Sequence, residues 1–145
     1  MARYLKHVSE TFPTHGICDY ESLYRWSVEH YDEFWQDWLH YSGIIFDGDA
    51  TPALTGSGLR GTRFFPQVHL NFAENLMRHL GASTALAGIS ESRGDQDISF
   101  DELRSQVGTI QHRLREHDIE SGDRVAAFVP NIPETVVAAL ATAAS

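Results

Sequence analysis

ISFDEL at residues 98–103, SGDRVA at 121–126 and PNIPE at 130–134 are the blocks that decide the fold of this chain. The first block predicts a short strand leading into a long helix, whose apolar positions Leu103, Val107, Ile110 and Leu114 recur at helical spacing. The second predicts a turn into a strand over 125–129, because a continuous apolar run is typical of a strand covered on both faces. The third begins a last helix.

Upstream of these blocks the pattern predicts more helix than strand. Aromatic residues recur at three- and four-residue spacings from Asp19 to Gly43, with Asp19 as the N-cap and a break near His30. We expect this aromatic stripe to be a face docked on a core. Helical spacing returns at Asn71 and is expected to stop at Gly81, and residues 84–89 have the character of a short strand.

Three helix starts carry the same capping signature. A capping side chain stands three residues before a glutamate in each of them: Asn71 with Glu74, Ser99 with Glu102, and Asn131 with Glu134. This spacing is that of a capping box, in which the two side chains satisfy free backbone N–H groups at the helix start. We therefore interpret the three glutamates as structural rather than catalytic. Pro133 is expected inside the first turn of the last helix, where its missing N–H costs nothing.

These patterns predict an α/β fold, which over this length of chain takes an α+β form. We expect three regions. Residues 1–45 form a helical, aromatic-rich module, and residues 46–66, which hold glycines and Pro52, form a loop. Residues 67–145 form an incomplete strand–helix–strand–helix start of a larger domain.

Composition excludes several classes of partner. The formal charge is −9, from 20 acidic against 11 basic side chains, which repels nucleic acid and anionic membranes. No apolar run reaches the roughly 18 residues that cross a bilayer, and the first residues lack the apolar core of a signal peptide. Cys18 is the only cysteine, so an internal disulfide is impossible and the reducing cytoplasm is favoured. We expect Cys18 to be inert.

Several short motifs match nucleotide-binding or metal-binding patterns, but the residues around them do not support such a site. GSGLRG at 56–61 matches the dinucleotide-binding pattern, but that pattern requires a preceding strand and a following helix, and we expect a flexible loop. DGD at 47–49 opens like a calcium loop, yet Pro52 and Gly58 occupy ligand-loop positions that require glycine and glutamate. The eight histidines form no helix-face pair with a supporting carboxylate, since His112 and His117 point to different sides. Lys6 is the only lysine, so no phosphate-gripping P-loop is present.

The order and spacing of seven short blocks resemble a known family. YRWS at 24–27 with EFW at 33–35, RFFP at 63–66 with LNFAENL at 70–76, and the three blocks quoted first together resemble the N-terminal segment of the acyl-CoA synthetase branch of the adenylate-forming superfamily. Within that branch the likeness is greatest to the members that activate acetoacetate, and the acetyl- and propionyl-activating members are the alternatives. Phe64 stands where that family usually has tryptophan.

The resemblance implies a two-step ligase reaction for a longer parent protein. A carboxylate, expected to be acetoacetate, attacks the α-phosphate of Mg–ATP and releases pyrophosphate, after which the thiol of coenzyme A displaces AMP. ATP, Mg2+ and coenzyme A are thus the implied cofactors. The family's phosphate loop and catalytic lysine have no counterpart here, so we assign no catalytic, cofactor-binding or metal-binding residue and expect this chain alone to be inactive.

A hypothesis from another class stays open: a self-standing, non-catalytic module that binds a partner through its aromatic helices or an unpaired strand edge. Under either hypothesis the strand at 125–129 lacks sheet neighbours, and exposed strand edges invite pairing with other molecules. We therefore expect the chain to self-associate through the region 125–145.

Overall fold

The computed structural model describes every residue from Met1 to Ser145, and these residues form two compact units, Met1–His69 and Leu70–Ser145. The first unit contains α1 (Ala2–Thr11), a 3-10 helix (Pro13–His15), α2 (Tyr20–Glu29), α3 (Tyr31–Tyr41), β1 (Asp47–Asp49), β2 (Leu54–Thr55), α4 (Gly58–Gly61), β3 (Arg63–Phe64) and β4 (Gln67–His69). The second contains α5 (Phe72–Leu76), β5 (Thr84–Gly88), β6 (Gln96–Ser99), α6 (Phe100–Glu116) and α7 (Pro133–Ala143). The mixed content of helices and short antiparallel strand pairs confirms the predicted α+β form. None of the helices is both long and apolar enough to cross a bilayer.

The helices of the first unit enclose a small core with two aromatic residues in it. α1 lies within the region 1–45 that the sequence predicts to be helical, although its own bounds were not predicted, and it contributes Tyr4 and Val8 to this core. Those two residues are four apart and therefore lie on one helix face. The full set of buried core residues is Tyr4, Val8, Ile17, Leu23 and Trp26.

The predicted break near His30 is confirmed, and it divides the aromatic region into α2 and α3. Asp19 caps α2 as expected, because its carboxylate accepts a 2.8 Å hydrogen bond from the amide of Ser22, and the Ser22 hydroxyl lies 3.0 Å from the Asp19 amide. At His30 the backbone leaves the helical region, with φ −122° and ψ 51°.

The expectation that the aromatic stripe docks on a core as a whole is wrong. Leu23, Trp26 and Leu39 are buried, whereas Tyr20, Tyr24 and Tyr31 are each about half exposed or more. Trp35 and Trp38 are also more than a third exposed, so only part of the stripe faces the core.

The region from Phe46 to Pro66 is more ordered than the predicted loop. β1 pairs with β4 and β2 pairs with β3, both antiparallel, with Gly48 opposite Val68 and Leu54 opposite Phe64. Each pairing is only two or three residues long. Short ladders of this kind leave little periodic signal in a sequence, because the pairing connects residues that are distant along the chain.

The core of the second unit lies between α6 and α7, beside the antiparallel pair of β5 and β6. Leu86 faces Ile98 across that pair, and both side chains pack against the core. The strands predicted at 84–89 and at 98–100 are thus confirmed to within two residues. The buried residues are Ala73, Leu103, Val107, Val137, Leu140 and Ala141.

Of the three predicted capping boxes, one is confirmed, one forms only the bond to its cap residue, and one is wrong. The Ser99 hydroxyl accepts from the Glu102 amide, and the Glu102 carboxylate accepts from the Ser99 amide at 2.9 Å, which completes a capping box. The Asn71 side chain accepts from the Glu74 amide at 3.0 Å.

At the last helix, Ile132 and not Asn131 is the N-cap residue, and it makes no side-chain capping bond. The reason is Pro133, which begins the helix at its first position. This shift places Glu134 one position too early in the helix to reach back and form a capping box.

Two further predictions of secondary structure are wrong. The helix that begins after Asn71 ends at Leu76 and does not reach Gly81. Residues 125–129 do not form a strand: they lie in an exposed stretch without regular structure, and Arg124 to Val129 make no backbone–backbone hydrogen bond. A strand requires a partner ladder as well as an apolar sequence, and no strand of this chain pairs with the segment.

Candidate functional site

The GSGLRG motif lies at the tip of a hairpin, in a place that a dinucleotide-binding loop would not occupy. β2 and β3 flank it as an antiparallel pair, and the only helix inside it is the single turn α4. A side chain at Gly56 would bring its Cβ to 2.1 Å from the carbonyl oxygen of Gly61. The tight closure of the hairpin therefore accounts for the glycine at position 56, and the rejection of a nucleotide role for this motif fits its geometry.

A cleft of about 310 Å³ opens in the second unit, beside the β5–β6 turn and the start of α7. Its walls combine residues of β5 with the polar residues Ser90, Arg93, Gln96 and Asn131. Pro133 forms the wall on the side of α7.

Arg93 and Glu134 form a two-bonded ion pair beside this cleft. The carboxylate accepts from both terminal nitrogens of the guanidinium, at 2.5 and 3.3 Å. The hydrogen bond from Arg93 holds the pKa of Glu134 below its ordinary value, and the same bond raises the pKa of Arg93. Because both side chains are about half exposed, water screens the pair. Glu134 thus has a tertiary role in place of the predicted cap.

The backbone of β5 approaches α7 so closely that it leaves no room for a side chain at Gly88. A Cβ built there would lie 2.6 Å from Cγ of Pro133. The absence of a side chain at Gly88 therefore makes room for the ring of Pro133. Together with the Arg93–Glu134 ion pair, this contact fixes the first turn of α7 against the sheet.

The block LNFAENL has a structural role at the other end of α7. Besides capping α5, Asn71 donates from its side-chain nitrogen to the carbonyl oxygen of Ala143, at 3.0 Å. The Arg104 guanidinium donates to the carbonyl oxygens of Met77 and His79 just after α5. These contacts hold α5 beside α7 and tie the segment after α5 to α6.

The first unit contains an apolar groove of about 270 Å³, lined mainly by the aromatic residues of α1, α2 and α3. Tyr4 lies at its floor, with its ring edge-on to Trp38 at a centroid distance of 4.8 Å. Burial raises the pKa of the Tyr4 hydroxyl, and the nearby carboxylate of Asp37 raises it further. Asp37 also lies 2.8 Å from Nε2 of His7, which ties α3 to α1.

The two clefts offer little charge that could hold a phosphate group. Glu134 neutralises the guanidinium of Arg93, and the remaining polar side chains of the first cleft carry no charge. Cys18 is exposed, and Lys6 lies on the surface of α1 in an i,i+4 pair with Glu10.

Comparison with family models divides the chain in the order that the motifs suggest. Residues 20–76 match the model described as acetyl-coenzyme A synthetase N-terminus. Residues 72–145, about half of the chain, match the model of the AMP-binding enzyme. The two matches meet at α5, within the LNFAENL block.

Individual relatives extend over nearly the whole chain. The acetoacetyl-coenzyme A synthetase of Rhizobium meliloti (strain 1021) is 37% identical over 143 residues, which are 99% of this chain and 22% of the relative. The acetoacetyl-CoA synthetase of Xenopus tropicalis is 36% identical over 132 residues, 88% of this chain and 20% of the relative. This chain therefore spans about a fifth of the length of these relatives.

A solved structure gives the same correspondence in three dimensions. The acetoacetyl-CoA synthetase from Streptomyces lividans matches 98% of this chain and 22% of its own chain, with 33% identity and a TM-score of 0.88. Sequence blocks, family models and backbone geometry lead to one conclusion. This chain belongs to the AMP-binding enzyme family.

Proposed function

We propose that this chain is the N-terminal part of an acetoacetate–CoA ligase. The observation that carries the proposal is the match of 98% of the chain to an acetoacetyl-CoA synthetase of known structure, at a TM-score of 0.88. The order of the two family-model matches, first the acetyl-coenzyme A synthetase N-terminus and then the AMP-binding enzyme, supports it further.

In this proposal the longer protein performs two successive displacements. A carboxylate oxygen of acetoacetate attacks the α-phosphorus of ATP, the bond to the β-phosphate oxygen breaks, and pyrophosphate leaves. The sulfur of coenzyme A then attacks the carbonyl carbon of the acyl-adenylate, AMP leaves, and the thiol proton is released. Enzymes accelerate such transfers mainly by positioning the reactants and by stabilising the developing charge.

We propose that other parts of the longer protein hold the phosphates of ATP and its Mg2+. Mg2+ prefers carboxylate oxygens, water and substrate phosphates as ligands. The one group of three metal-ligating side chains in this chain contains two imidazoles and one carboxylate, which does not fit Mg2+. We derive no catalytic step from the residues present, and we assign them a scaffolding role in the N-terminal part of the ligase.

A ligase specific for acetate or propionate is the alternative, and the match of residues 20–76 to the acetyl-coenzyme A synthetase N-terminus favours it. The relatives that cover most of the chain, however, carry the acetoacetate name. Cytoplasmic localisation is part of the proposal, because a chain with a single cysteine suits a reducing compartment.

Exchange of labelled pyrophosphate into ATP tests the proposal. The longer gene product that carries this chain should catalyse exchange with acetoacetate and much less with acetate or propionate. The chain Met1–Ser145 alone should catalyse none. Preference of the longer protein for acetate or propionate would overturn the substrate assignment, and exchange by the chain alone would overturn its scaffolding role. The mass of the intact gene product separates both outcomes from a self-standing module, which would end near Ser145.

A further inference from the structure

Three side chains that can bind a metal meet in the first unit: His15, His30 and Glu33. One ligand atom from each lies within 4.8 Å of the other two. His15 ends the 3-10 helix, His30 lies at the junction of α2 and α3, and Glu33 lies in the first turn of α3. Histidine spacing along single helix faces did not reveal this group, because His15 is distant from His30 along the chain.

The distances among these atoms suit coordination of one ion. Nε2 of His15 lies 3.2 Å from one carboxylate oxygen of Glu33, and Nδ1 of His30 lies 3.5 Å from the other. In a tetrahedral zinc site with bonds of about 2.0–2.2 Å, neighbouring ligand atoms are about 3.3–3.6 Å apart. These two imidazole–carboxylate distances, each to a different oxygen of Glu33, are near that spacing. The ligand atoms of all three side chains lie within 4.8 Å of one another, so a small side-chain adjustment brings them to one ion.

Packing holds the imidazole of His15 in place. Its ring lies 6.1 Å from that of the buried Trp26 and 6.2 Å from that of Phe12. The ring of His30 is edge-on to that of His15 at 4.5 Å. All three side chains are partly exposed, so an ion can enter from solvent. Ligands positioned before binding lower the conformational cost of capturing the ion.

The ligand chemistry selects the ion. Two imidazoles and one carboxylate suit zinc and other divalent first-row transition ions, whereas Mg2+ and Ca2+ prefer sites made of oxygen atoms alone. Three protein ligands also leave one position of a tetrahedron open to water. We propose that His15, His30 and Glu33 form a binding site for a divalent transition metal ion, zinc above all, which joins the 3-10 helix to the α2–α3 junction.

This site is independent of the ligase proposal, since it requires no ATP, no substrate and no residue outside the first unit. The expected consequence of metal binding is a gain in the stability of the first unit. An ion bound to all three ligands stabilises the folded first unit by mass action, because the unfolded chain does not bring the ligands together.

The test uses the untagged full chain, titrated with zinc chloride by calorimetry and by thermal unfolding followed by circular dichroism. We expect one zinc ion per chain and a rise of several degrees in Tm when zinc is at about 100 times its Kd. Mg2+ should give no such rise. Binding of Co2+ should produce the intense visible absorption bands of a four- or five-coordinate site, a signature that nonspecific association does not produce.

Variants assign the ligands. His15→Ala, His30→Ala and Glu33→Gln should each weaken zinc binding by at least about tenfold. Glu33→Gln is nearly isosteric and keeps the packing, so it remains informative if a histidine variant unfolds. His112→Ala is the matched control, because His112 also lies beside a glutamate, Glu116 at 3.4 Å, but on the surface of α6. Zinc affinity that is the same in wild type and in Glu33→Gln, or that falls equally in His112→Ala, would overturn the site.

Discussion

The guanidinium of Arg93 lies edge to edge with the carboxylate of Glu134, with Nη2 2.5 Å from Oε1 and Nη1 3.3 Å from Oε2. This pair links the β5–β6 turn to the first turn of α7. Paired, bidentate geometry of this kind is stronger and more specific than a single charge contact. The pair therefore helps to define where α7 begins.

The first prediction concerns the pH dependence of this pair. The folded-state pKa of Glu134 is lowered by Arg93, so the stabilisation is present above the ordinary glutamate pKa and is lost as the pH falls through the lowered value. Glu134→Gln should therefore lower the Tm at about pH 7 and lower it less at about pH 3. Thermal unfolding at both pH values measures the difference.

The control for this variant is Glu116→Gln, which removes the carboxylate of the exposed Arg113–Glu116 pair within α6. This variant should change the Tm at about pH 7 less than Glu134→Gln does, because Arg113 and Glu116 lie on the same helix and their pair links no separate elements. An equal loss in the two variants would mean that the Arg93–Glu134 pair contributes no more than an ordinary surface contact.

The second prediction separates a real cap from a false one. Ser99→Ala should destabilise the chain by about 0.5–2 kcal/mol, because it removes the hydroxyl that caps α6. Asn131→Ala should change the stability by no more than about 0.5 kcal/mol, because Asn131 is exposed and does not cap α7. Urea unfolding of both variants provides the measurement. A loss for Asn131→Ala that matches the loss for Ser99→Ala would contradict the helix boundary at Pro133.

The third prediction concerns the closeness of β5 to α7. Gly88→Ala should destabilise the chain by about 1–3 kcal/mol, because the new methyl group would overlap the ring of Pro133. Gly108→Ala is the control: it lies within α6 with open space around it and should stabilise the chain by about 0.5–1 kcal/mol. Opposite signs in denaturant unfolding are expected. A neutral or stabilising Gly88→Ala would show that this contact is loose.

The fourth prediction concerns self-association. Phe128 is fully exposed, and its neighbours Val125 and Val129 are each about half exposed. Burial of these side chains against a second copy removes apolar area from water. We expect light scattering at micromolar concentration to show a dimer or larger particle, and we expect Phe128→Glu to reduce it to a monomer.

Leu59 is as exposed as Phe128 but lies in the first unit, so Leu59→Glu is the control and should leave the dimer intact. A monomeric wild-type chain would refute the prediction. So would a dimer that persists in Phe128→Glu and dissociates in Leu59→Glu.

Local signals in the sequence predicted the elements that local interactions determine. The division at His30, the caps at Asp19, Asn71 and Ser99, and the course of α6 all depend on residues within four positions of one another. Such interactions leave a readable spacing in the sequence.

Features that depend on distant residues escaped prediction. Residues 125–129 have the composition of a buried strand but lack a partner within this chain, and composition cannot reveal a missing partner. The link between Arg93 and Glu134 and the meeting of His15 with His30 both arise only when the chain folds. The sequence blocks therefore indicated the protein family, but they did not predict the contacts that form the two clefts.

The unpaired stretch from Arg124 to Val129 also has a consequence for α7. This segment connects α7 to α6 without contributing backbone bonds of its own, so it acts as a tether that raises the effective concentration of α7 beside its binding surface. The attachment itself comes from the buried residues Val137, Leu140 and Ala141, which pack against α6. Cleavage after Arg124 would thus convert an intramolecular contact into a complex of two peptides, and α7 would become a ligand that the rest of the second unit can release and recapture.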